Sequence, residues 1–339
     1  MATVGIPQSL FYYYYFPLWK TFFEYLGAEV ITSMPTSKAL VDKGISLSVD
    51  ENCFPLKVFY GHVESLVNQG VDYVFIPRLI SIESKNYICP KFMGIPDMIR
   101  AGISPLPTLI APTIDLSKND LKLDQEILYC GKFFASNQNK IKTAFLKGLQ
   151  ELKAFQVLTK RGYTCSEAIN LWNKKQFLSS EAYEAAAPVP TLTIGVLGHG
   201  YSLYDHLISM DLINKLRKLN CQVLLAESLS RSTINQYAAT LPKQIFWTLG
   251  HKMIGSALYF DHCANVDGII YLACFGCGPD SLVGEMIERK VAHKPFMLLT
   301  IDEHTGENGM NTRLEAFYDM LIHRKQRRVA DENYFSTSG

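Results

Sequence analysis

The sequence contains no uninterrupted apolar run of about 18 residues or more, the length that a membrane-spanning helix would need. Its amino-terminal segment also has no basic stretch and no small-residue cleavage site, so a secretory signal is not expected. We therefore expect a cytoplasmic protein that has no membrane partner.

An excess of charge of either sign is missing too, because 33 lysines and arginines face 32 aspartates and glutamates. Nucleic-acid-binding domains usually carry a marked basic excess, so no nucleic-acid partner is predicted. The phosphate-cradling patterns GxGxxG and GxxxxGK[ST] are absent as well. The segment GVLGHGYSLYD follows neither pattern. We interpret it as a glycine-containing loop whose backbone closely approaches the cleft between the domains. Its His199 is a candidate catalytic residue, although such a histidine is more often a hydrogen-bonded structural residue.

Short β-branched runs alternate with helical apolar spacing in two series along the chain, one on each side of a helical stretch. This alternation predicts an α/β fold with a parallel sheet in each half. In the second series a helix is predicted over residues 204–219. We predict four segments: an amino-terminal α/β domain over 1–118, a helical connector over 119–187, a carboxyl-terminal α/β domain over 188–327 and a tail over 328–339. The clearest boundary is AAAPVP at 185–190, whose prolines stop a helix.

Eight cysteines in a chain of 339 residues that is expected in the cytoplasm do not predict a disulfide framework. Four of them occur where ligands bind in α/β proteins, at the carboxyl ends of strands or the start of a helix. Cys53 opens a predicted helix, and Cys89 lies in a loop past the strand predicted over 71–76. Cys274 and Cys277, in ACFGCGPDS, follow the strand predicted over 266–272 directly. The segments VDYVFIP…CP and VDGIIYLACFGCGP also echo each other, which suggests two similar domains facing each other.

Three interpretations of these four cysteines remain open: an iron–sulfur cluster, a zinc site, or buried structural thiols. Soft thiolates select zinc, copper(I) or iron–sulfur clusters. Zinc usually takes a second close pair, whereas Cys53 and Cys89 lie far apart in the sequence. Dispersed cysteines beside proline and glycine favour the cluster. The remaining cysteines are interpreted as structural: Cys130, Cys165, Cys221 and Cys263.

Other side chains are candidates for supporting roles beside this site. Glu303 and His304 follow a predicted strand and are candidates for proton delivery, although a capped loop would explain them equally. Lys57 and Lys91 follow cysteines closely and would place positive charge near an anionic cluster, although solvation at the rim is the ordinary expectation. Four adjacent tyrosines at 12–15 cannot share one helical face, so at least one is expected at the cleft or an oligomer interface.

Several segments of the chain resemble one family. They are GIPQSLFYYYYFPLWKTFFEYLGAEV, DENCFPLKVFYGHV, FIPRL…YICPKFMGIPDMIR, CFGCGPDSLVGEMI and TIDEHTGENGMNTRLEAF. The family is the 2-hydroxyglutaryl-CoA dehydratase D-component-like superfamily, and within it the branch of acyl-CoA dehydratase activase-related proteins. The resemblance is densest in residues 1–115 and 192–322.

This resemblance implies two Rossmann-like (flavodoxin-like) domains with an iron–sulfur cluster in the cleft between them. It implies Cys53, Cys89 and Cys277 as ligands, most often of a [4Fe–4S] cluster with one iron open. A related branch holds a double-cubane [8Fe–9S] cluster. Cys274 departs from the pattern, since an extra thiol there would fill the fourth position or serve a larger cluster. A homodimer is an expectation from relatives only.

The function expected from these observations is low-potential electron transfer or reduction in an anaerobe. As in the relatives, the electron would come from a separate ATP-hydrolysing activase or another electron donor. The alternatives are a 2-hydroxyacyl-CoA dehydratase-like radical lyase and a regulatory or scaffold subunit with a structural metal. Whether the chain is itself an enzyme is left open by the sequence.

Overall fold

The computed structural model describes residues 1–117, 121–175 and 189–337. The predicted boundary at 185–190 therefore lies largely outside the described residues, as does the end of the predicted connector. The division into four segments stays a prediction.

The first α/β unit is built from short strands that alternate with helices. Its elements are β1 (Thr3–Ile6), α1 (Tyr12–Leu26), β2 (Glu29–Thr32), α2 (Lys38–Leu47), α3 (Phe54–Asn68), β3 (Tyr73–Phe75), β4 (Arg78–Ser81), α4 (Pro90–Gly102), β5 (Thr108–Ile110) and β6 (Thr113–Asp115). Four of the strands form a parallel sheet in the order β2-β1-β3-β5. A separate two-stranded parallel sheet joins β4 to β6, and the sequence patterns did not predict it.

The second unit repeats this plan after three helices. The elements are α5 (Leu121–Gly131), α6 (Gln138–Lys160), α7 (Cys165–Asn173), β7 (Leu192–Gly198), α8 (Gly200–Leu203), α9 (Leu212–Lys218), β8 (Cys221–Leu225), α10 (Arg231–Ala238), α11 (Thr248–His262), β9 (Gly268–Cys274), α12 (Gly278–Lys290), β10 (Phe296–Ile301) and α13 (Glu307–Thr337). The parallel sheet has the order β10-β9-β7-β8.

When the four strands of each sheet are numbered 1 to 4 in the order in which the chain forms them, both sheets have the strand order 2-1-3-4. The predicted fold class, α/β with a parallel sheet in each of two Rossmann-like units, is confirmed. In this topology the chain reverses its winding between the first and third strands, and ligands bind at the carboxyl ends there. In the second unit that position lies between the carboxyl ends of β7 and β9. His199 follows β7 directly, and Cys277 comes three residues after the end of β9.

Burial explains why the central strands form where they do. All seven positions of β9 are buried, as expected for a parallel strand covered by helices on both faces. In the first unit Phe22 and Phe23 of α1 are fully buried beneath the sheet. Helix α6 packs on α1 so closely that a β-carbon on Gly148 would lie 2.5 Å from the carbonyl oxygen of Leu18. Ile127 of α5 and Ile169 of α7 are buried in the same core, so all three connector helices belong to the packed body of the protein.

The single helix predicted over residues 204–219 is wrong. The chain instead forms α8, a turn and then α9. The Asp205 carboxylate accepts hydrogen bonds from the backbone N–H groups of Leu207 and Ile208, at 2.9 and 3.0 Å, which competes with helical hydrogen bonding. Met210 and Asp211 then adopt left-handed backbone angles, with φ of 50° and 58°. Helix α13 continues to Thr337, through the segment predicted as a tail.

Candidate metal centre

Three of the four candidate cysteines occupy the same local position, the residue immediately before a helix. Cys53 precedes α3, Cys89 precedes α4 and Cys277 precedes α12. A proline in the first turn of each helix fits this start, because it lacks only an N–H that the helix would leave unpaired. The positive end of each helix dipole therefore faces a thiol, which favours a thiolate or a metal-bound sulfur.

The two domains bring these cysteines to one place. A β-carbon on Gly276, next to Cys277, would lie 3.8 Å from the Cα atom of Cys53. Gly276 has a φ of 74°, a conformation that side chains rarely adopt. Burial raises the pKa of the buried Tyr201 hydroxyl, and the nearby Cys277 and Asp280 raise it further, followed by Cys53 and Cys89. Cys53 of the first domain therefore lies against the Gly276–Cys277 turn of the second.

The thiols are held in their neutral form by burial. Burial raises the pKa of Cys53 above its ordinary value, against the opposing effects of Lys91 and the backbone N–H of Leu56. The pKa of Cys89 is raised for the same reason. Burial and then the charge of Asp280 raise the pKa of Cys277 well above its usual range. A metal that binds here must therefore displace protons from the thiols.

A buried polar group lies beside Cys277. One ligand atom each from His199, Cys277 and Asp280 lies within 4.8 Å of the other two. The Nδ1 atom of His199 is 3.1 Å from an Asp280 carboxylate oxygen and 2.8 Å from the Tyr201 hydroxyl. The Tyr271 hydroxyl donates to Asp280 at 2.7 Å. His199 therefore lies beside Cys277, and the group offers hydrogen-bond support for whatever the cysteines bind.

Asp280 was missed by the sequence patterns, although it lies in the quoted GPDS motif. It is 2% exposed. Burial works to raise its pKa, but His199 and its other hydrogen-bond partners lower the pKa below its ordinary value. An acidic residue in the first turn of a helix, three positions after a cysteine, is the signal that could have marked it.

Cys274 differs from the other three cysteines. It ends β9 instead of preceding a helix, and it is 2% exposed. Its thiol donates to the Ser202 hydroxyl at 3.2 Å, so it already has a hydrogen-bond partner. Its backbone N–H donates to Asp280 at 3.3 Å. Cys274 thus lies near the other cysteines, but its sulfur has its own hydrogen-bond partner in Ser202.

Of the two lysines near the cysteines, Lys57 is buried and is not solvated at the rim of the site. Lys57, one helical turn after Cys53, is 5% exposed, and its ammonium group contacts the Glu303 carboxylate. The ammonium of Lys91 donates to the Glu51 carbonyl at 2.7 Å, and its charge lowers the pKa of the Cys53 thiol. The solvated position expected for Lys57 is wrong, because a carboxylate of the second domain covers it.

Glu303 and His304 differ from each other. Burial works to raise the pKa of Glu303, but the hydrogen bond from Lys57 lowers it below its ordinary value. His304 is exposed, and its backbone N–H donates to Asp302 at 3.0 Å, as in a capped loop. Of the two, only Glu303 is linked to the cysteine site, because its carboxylate pairs with Lys57 one helical turn after Cys53.

The donor set fits an anionic group held by thiolates. Soft sulfur ligands select zinc, copper(I) or iron–sulfur clusters, and three helix starts and Lys91 supply positive potential. Asn52, beside Cys53, is 6% exposed, and its Nδ2 atom has no hydrogen-bond partner among the described residues. A buried unpaired amide is costly unless something accepts its hydrogen bond, and the sulfur atoms of a bound group would do so.

The comparison with protein families matches residues 3–229 to the family described as CoA enzyme activase uncharacterised domain. The match covers more than half of the chain. The chain belongs to this family. The matched range contains Cys53, Cys89 and His199 and ends before Cys274 and Cys277. No curated protein matches the chain. Among the described residues, no helix has both the length and the apolar character to cross a membrane.

Proposed function

We propose that this CoA enzyme activase-family chain holds an iron–sulfur cluster through Cys53, Cys89 and Cys277 and serves in low-potential electron transfer. The observation that carries the proposal is the shared position of the three cysteines, each at the start of a helix, with Cys53 of one domain against the Gly276–Cys277 turn of the other. When bound, such a cluster supplies storage and transfer of single electrons at low potential.

The surroundings suit a thiolate-held group of net negative charge, because Lys91 and the three helix starts would offset that charge. The wide separation of Cys53 and Cys89 in the sequence favours a cluster over zinc. The unpaired Asn52 amide and the buried Tyr201 hydroxyl are donors of the kind that tune cluster potentials. Burial of the thiols would limit access of water and raise the pKa of any free thiol.

The expected electron donor is a separate ATP-hydrolysing activase. The sequence has no phosphate-cradling motif, so nucleotide hydrolysis is not expected of this chain itself. The family description connects the domain with activation of CoA enzymes, which supports an acceptor of that class. The low-potential reduction would then take place in the acceptor or in a complex with it.

The test is a set of single substitutions analysed after anoxic purification. Cys53→Ser, Cys89→Ser and Cys277→Ser should each lower the bound iron sharply, because each removes one of three ligands. Cys221→Ser is the matched control, since Cys221 is a buried cysteine at the start of β8, away from the site. Circular dichroism checks that each variant folds. Iron content that is equal in all four variants would overturn the proposed ligand set.

A second candidate is an acyl-CoA dehydratase-like lyase, favoured by one observation. Because the Cys274 thiol is already bonded to Ser202, only three cysteines face the site, which leaves room for a substrate on an open metal position. The pocket that Cys89, His199 and Tyr201 line holds only about 10 Å³. A separate cleft of about 290 Å³, lined by Tyr13, Thr36 and Tyr204 and by none of the cysteines, offers space for a distant part of such a substrate. Tight binding of an acyl-CoA, or its turnover with activase and ATP, would support this candidate over an electron carrier.

A further inference from the structure

A second group of metal-ligating side chains lies at the amino ends of the strands of the second sheet, whereas Cys274 and Cys277 lie at the carboxyl ends. Asp261 and His262 end α11, and His293 lies in the loop that leads into β10. One ligand atom from each lies within 4.8 Å of the other two. We propose that Asp261, His262 and His293 bind one divalent transition metal, independently of the cysteine site.

The imidazole of His262 is oriented for ligation. Its Nδ1 atom is 2.9 Å from the carbonyl oxygen of Leu258. A carbonyl only accepts, so Nδ1 carries the proton and Nε2 keeps a lone pair. Histidines that bind metals almost always donate their other N–H to a carbonyl or carboxylate in this way. The rings of His262 and His293 are 5.0 Å apart between centroids, so both reach one ion without a large movement.

Asp261 fixes the loop that carries His293. The carboxylate is 1% exposed and accepts backbone N–H bonds from His293 and Lys294, both at 2.9 Å, and from Ala292 at 3.2 Å. These bonds hold the loop against the end of α11 before any metal arrives. Oδ1 accepts the bonds from His293 and Lys294, whereas Oδ2 accepts only the one from Ala292. Oδ2 therefore keeps a lone pair for a metal, and ligation does not require the loop to detach.

The local electrostatics suit a cation bound to nitrogen and oxygen. Asp261 and His262 lie at the carboxyl end of α11, where the negative end of the helix dipole favours positive charge. Two imidazoles with one carboxylate are ligands for zinc and similar first-row metals, whereas calcium and magnesium prefer oxygen alone. With three protein ligands, the metal would keep open positions toward the adjoining cavity.

That cavity, of about 580 Å³, is also lined by cationic side chains. Arg324 donates to the His293 carbonyl at 3.2 Å and so supports the loop. Lys294 and Arg328 line the same space, and their charges oppose a bare dication. The proposal therefore predicts that removing a charge which does not support the loop strengthens metal binding.

The test uses zinc with the iron-loaded full-length protein and, in parallel, with the Cys53→Ser/Cys89→Ser/Cys277→Ser variant, whose cysteine site cannot compete for zinc. We expect one zinc per chain, with an X-ray absorption spectrum showing nitrogen and oxygen neighbours at about 2.0–2.1 Å and no sulfur at about 2.3 Å. The double variant His262→Ala/His293→Ala should lose at least about tenfold in affinity, which is about 1.4 kcal/mol. Arg328→Ala should bind zinc more tightly than the wild type.

His206→Ala is the matched control, because His206 is exposed and lies far from the proposed ligands in the sequence. It should bind zinc like the wild type. Sulfur neighbours in the spectrum, no bound zinc, or equal affinity in the double variant would overturn the proposal. Iron is measured in the same samples: the double variant should keep it, so this site and the cysteine site succeed or fail separately.

Discussion

The ammonium group of Lys57 on α3 contacts the Glu303 carboxylate that follows β10, so a nearly buried ion pair joins the two domains one helical turn from Cys53. The side chains are 7% and 14% exposed. Breaking a buried pair leaves one charge without compensation, whereas an exposed pair contributes little. The pair is therefore expected to matter for the position of α3 relative to the second domain.

Lys57→Met should lower the free energy of unfolding by about 3 kcal/mol, because Glu303 would remain charged and nearly buried. Chemical denaturation at neutral pH measures the change. Lys38→Met is the control, since Lys38 forms an exposed pair with Asp42 at 3.0 Å and its loss should change stability by less than about 1 kcal/mol. Equal effects of the two substitutions would contradict the role given to the buried pair.

His62 makes the stability of the protein depend on pH. Its ring accepts a hydrogen bond from Ser33 at 2.8 Å and donates one to Thr36 at 3.0 Å, and Thr36 in turn donates to the Asp205 carboxylate of the second domain. Burial lowers the pKa of His62 to about 3. The unfolded chain takes up a proton near pH 6.5, well before the folded protein does.

Stability from this group is therefore complete above about pH 6.5 and is lost as the pH falls toward 3, since the unfolded state binds more protons in that window. Between pH 7 and pH 5 the loss due to His62 alone should be about 2 kcal/mol. His62→Gln removes the titration and should flatten the pH dependence of unfolding by that amount. A variant whose pH dependence matches the wild type would contradict the assignment.

The close contact between α2 and α3 requires glycine. A β-carbon on Gly61 would collide with the Leu40 carbonyl oxygen. Gly61→Ala should therefore destabilise the protein by about 2 kcal/mol, and it should lower cofactor retention because α3 begins at Cys53. Gly309→Ala is the control, since a β-carbon there meets nothing within 4 Å and alanine is the better helix former. Thermal unfolding measures the stability of both variants. A Gly61→Ala protein as stable as Gly309→Ala would contradict the requirement for glycine at position 61.

Cys274 is expected to be dispensable for cofactor binding. Because its thiol donates to Ser202, Cys274→Ala should keep the same iron content as the wild type, with a modest loss of stability from the buried gap. Metal analysis after anoxic purification measures this. A loss of iron as large as that of Cys277→Ser would instead make Cys274 a ligand and favour a closed or larger cluster.

Local patterns predicted the parts of the fold that depend on local physics. The runs around β7 and β9 and the helical spacing of α3 follow from burial on one or both faces, so their alternation predicted parallel sheets. The turn at Asp205 was missed because its carboxylate takes over backbone N–H groups that helical spacing alone assigns to a helix.

The candidate site was predictable only in part. The Cys53, Cys89 and Cys277 positions could be proposed from helix starts and strand ends, because the topology of α/β sheets gathers such residues. The bond from Cys274 to Ser202 and the chain from His62 through Thr36 to Asp205 join residues far apart in sequence. No local spacing encodes such partners, since they depend on how the two domains pack.

The central claim is that this protein holds an iron–sulfur cluster. The most direct test is the iron and sulfide content of the wild-type protein purified without oxygen. The account predicts about four iron and about four sulfide per chain, with an EPR signal of a cluster that appears on reduction. Zinc in place of iron, or neither metal in a folded protein, would contradict it.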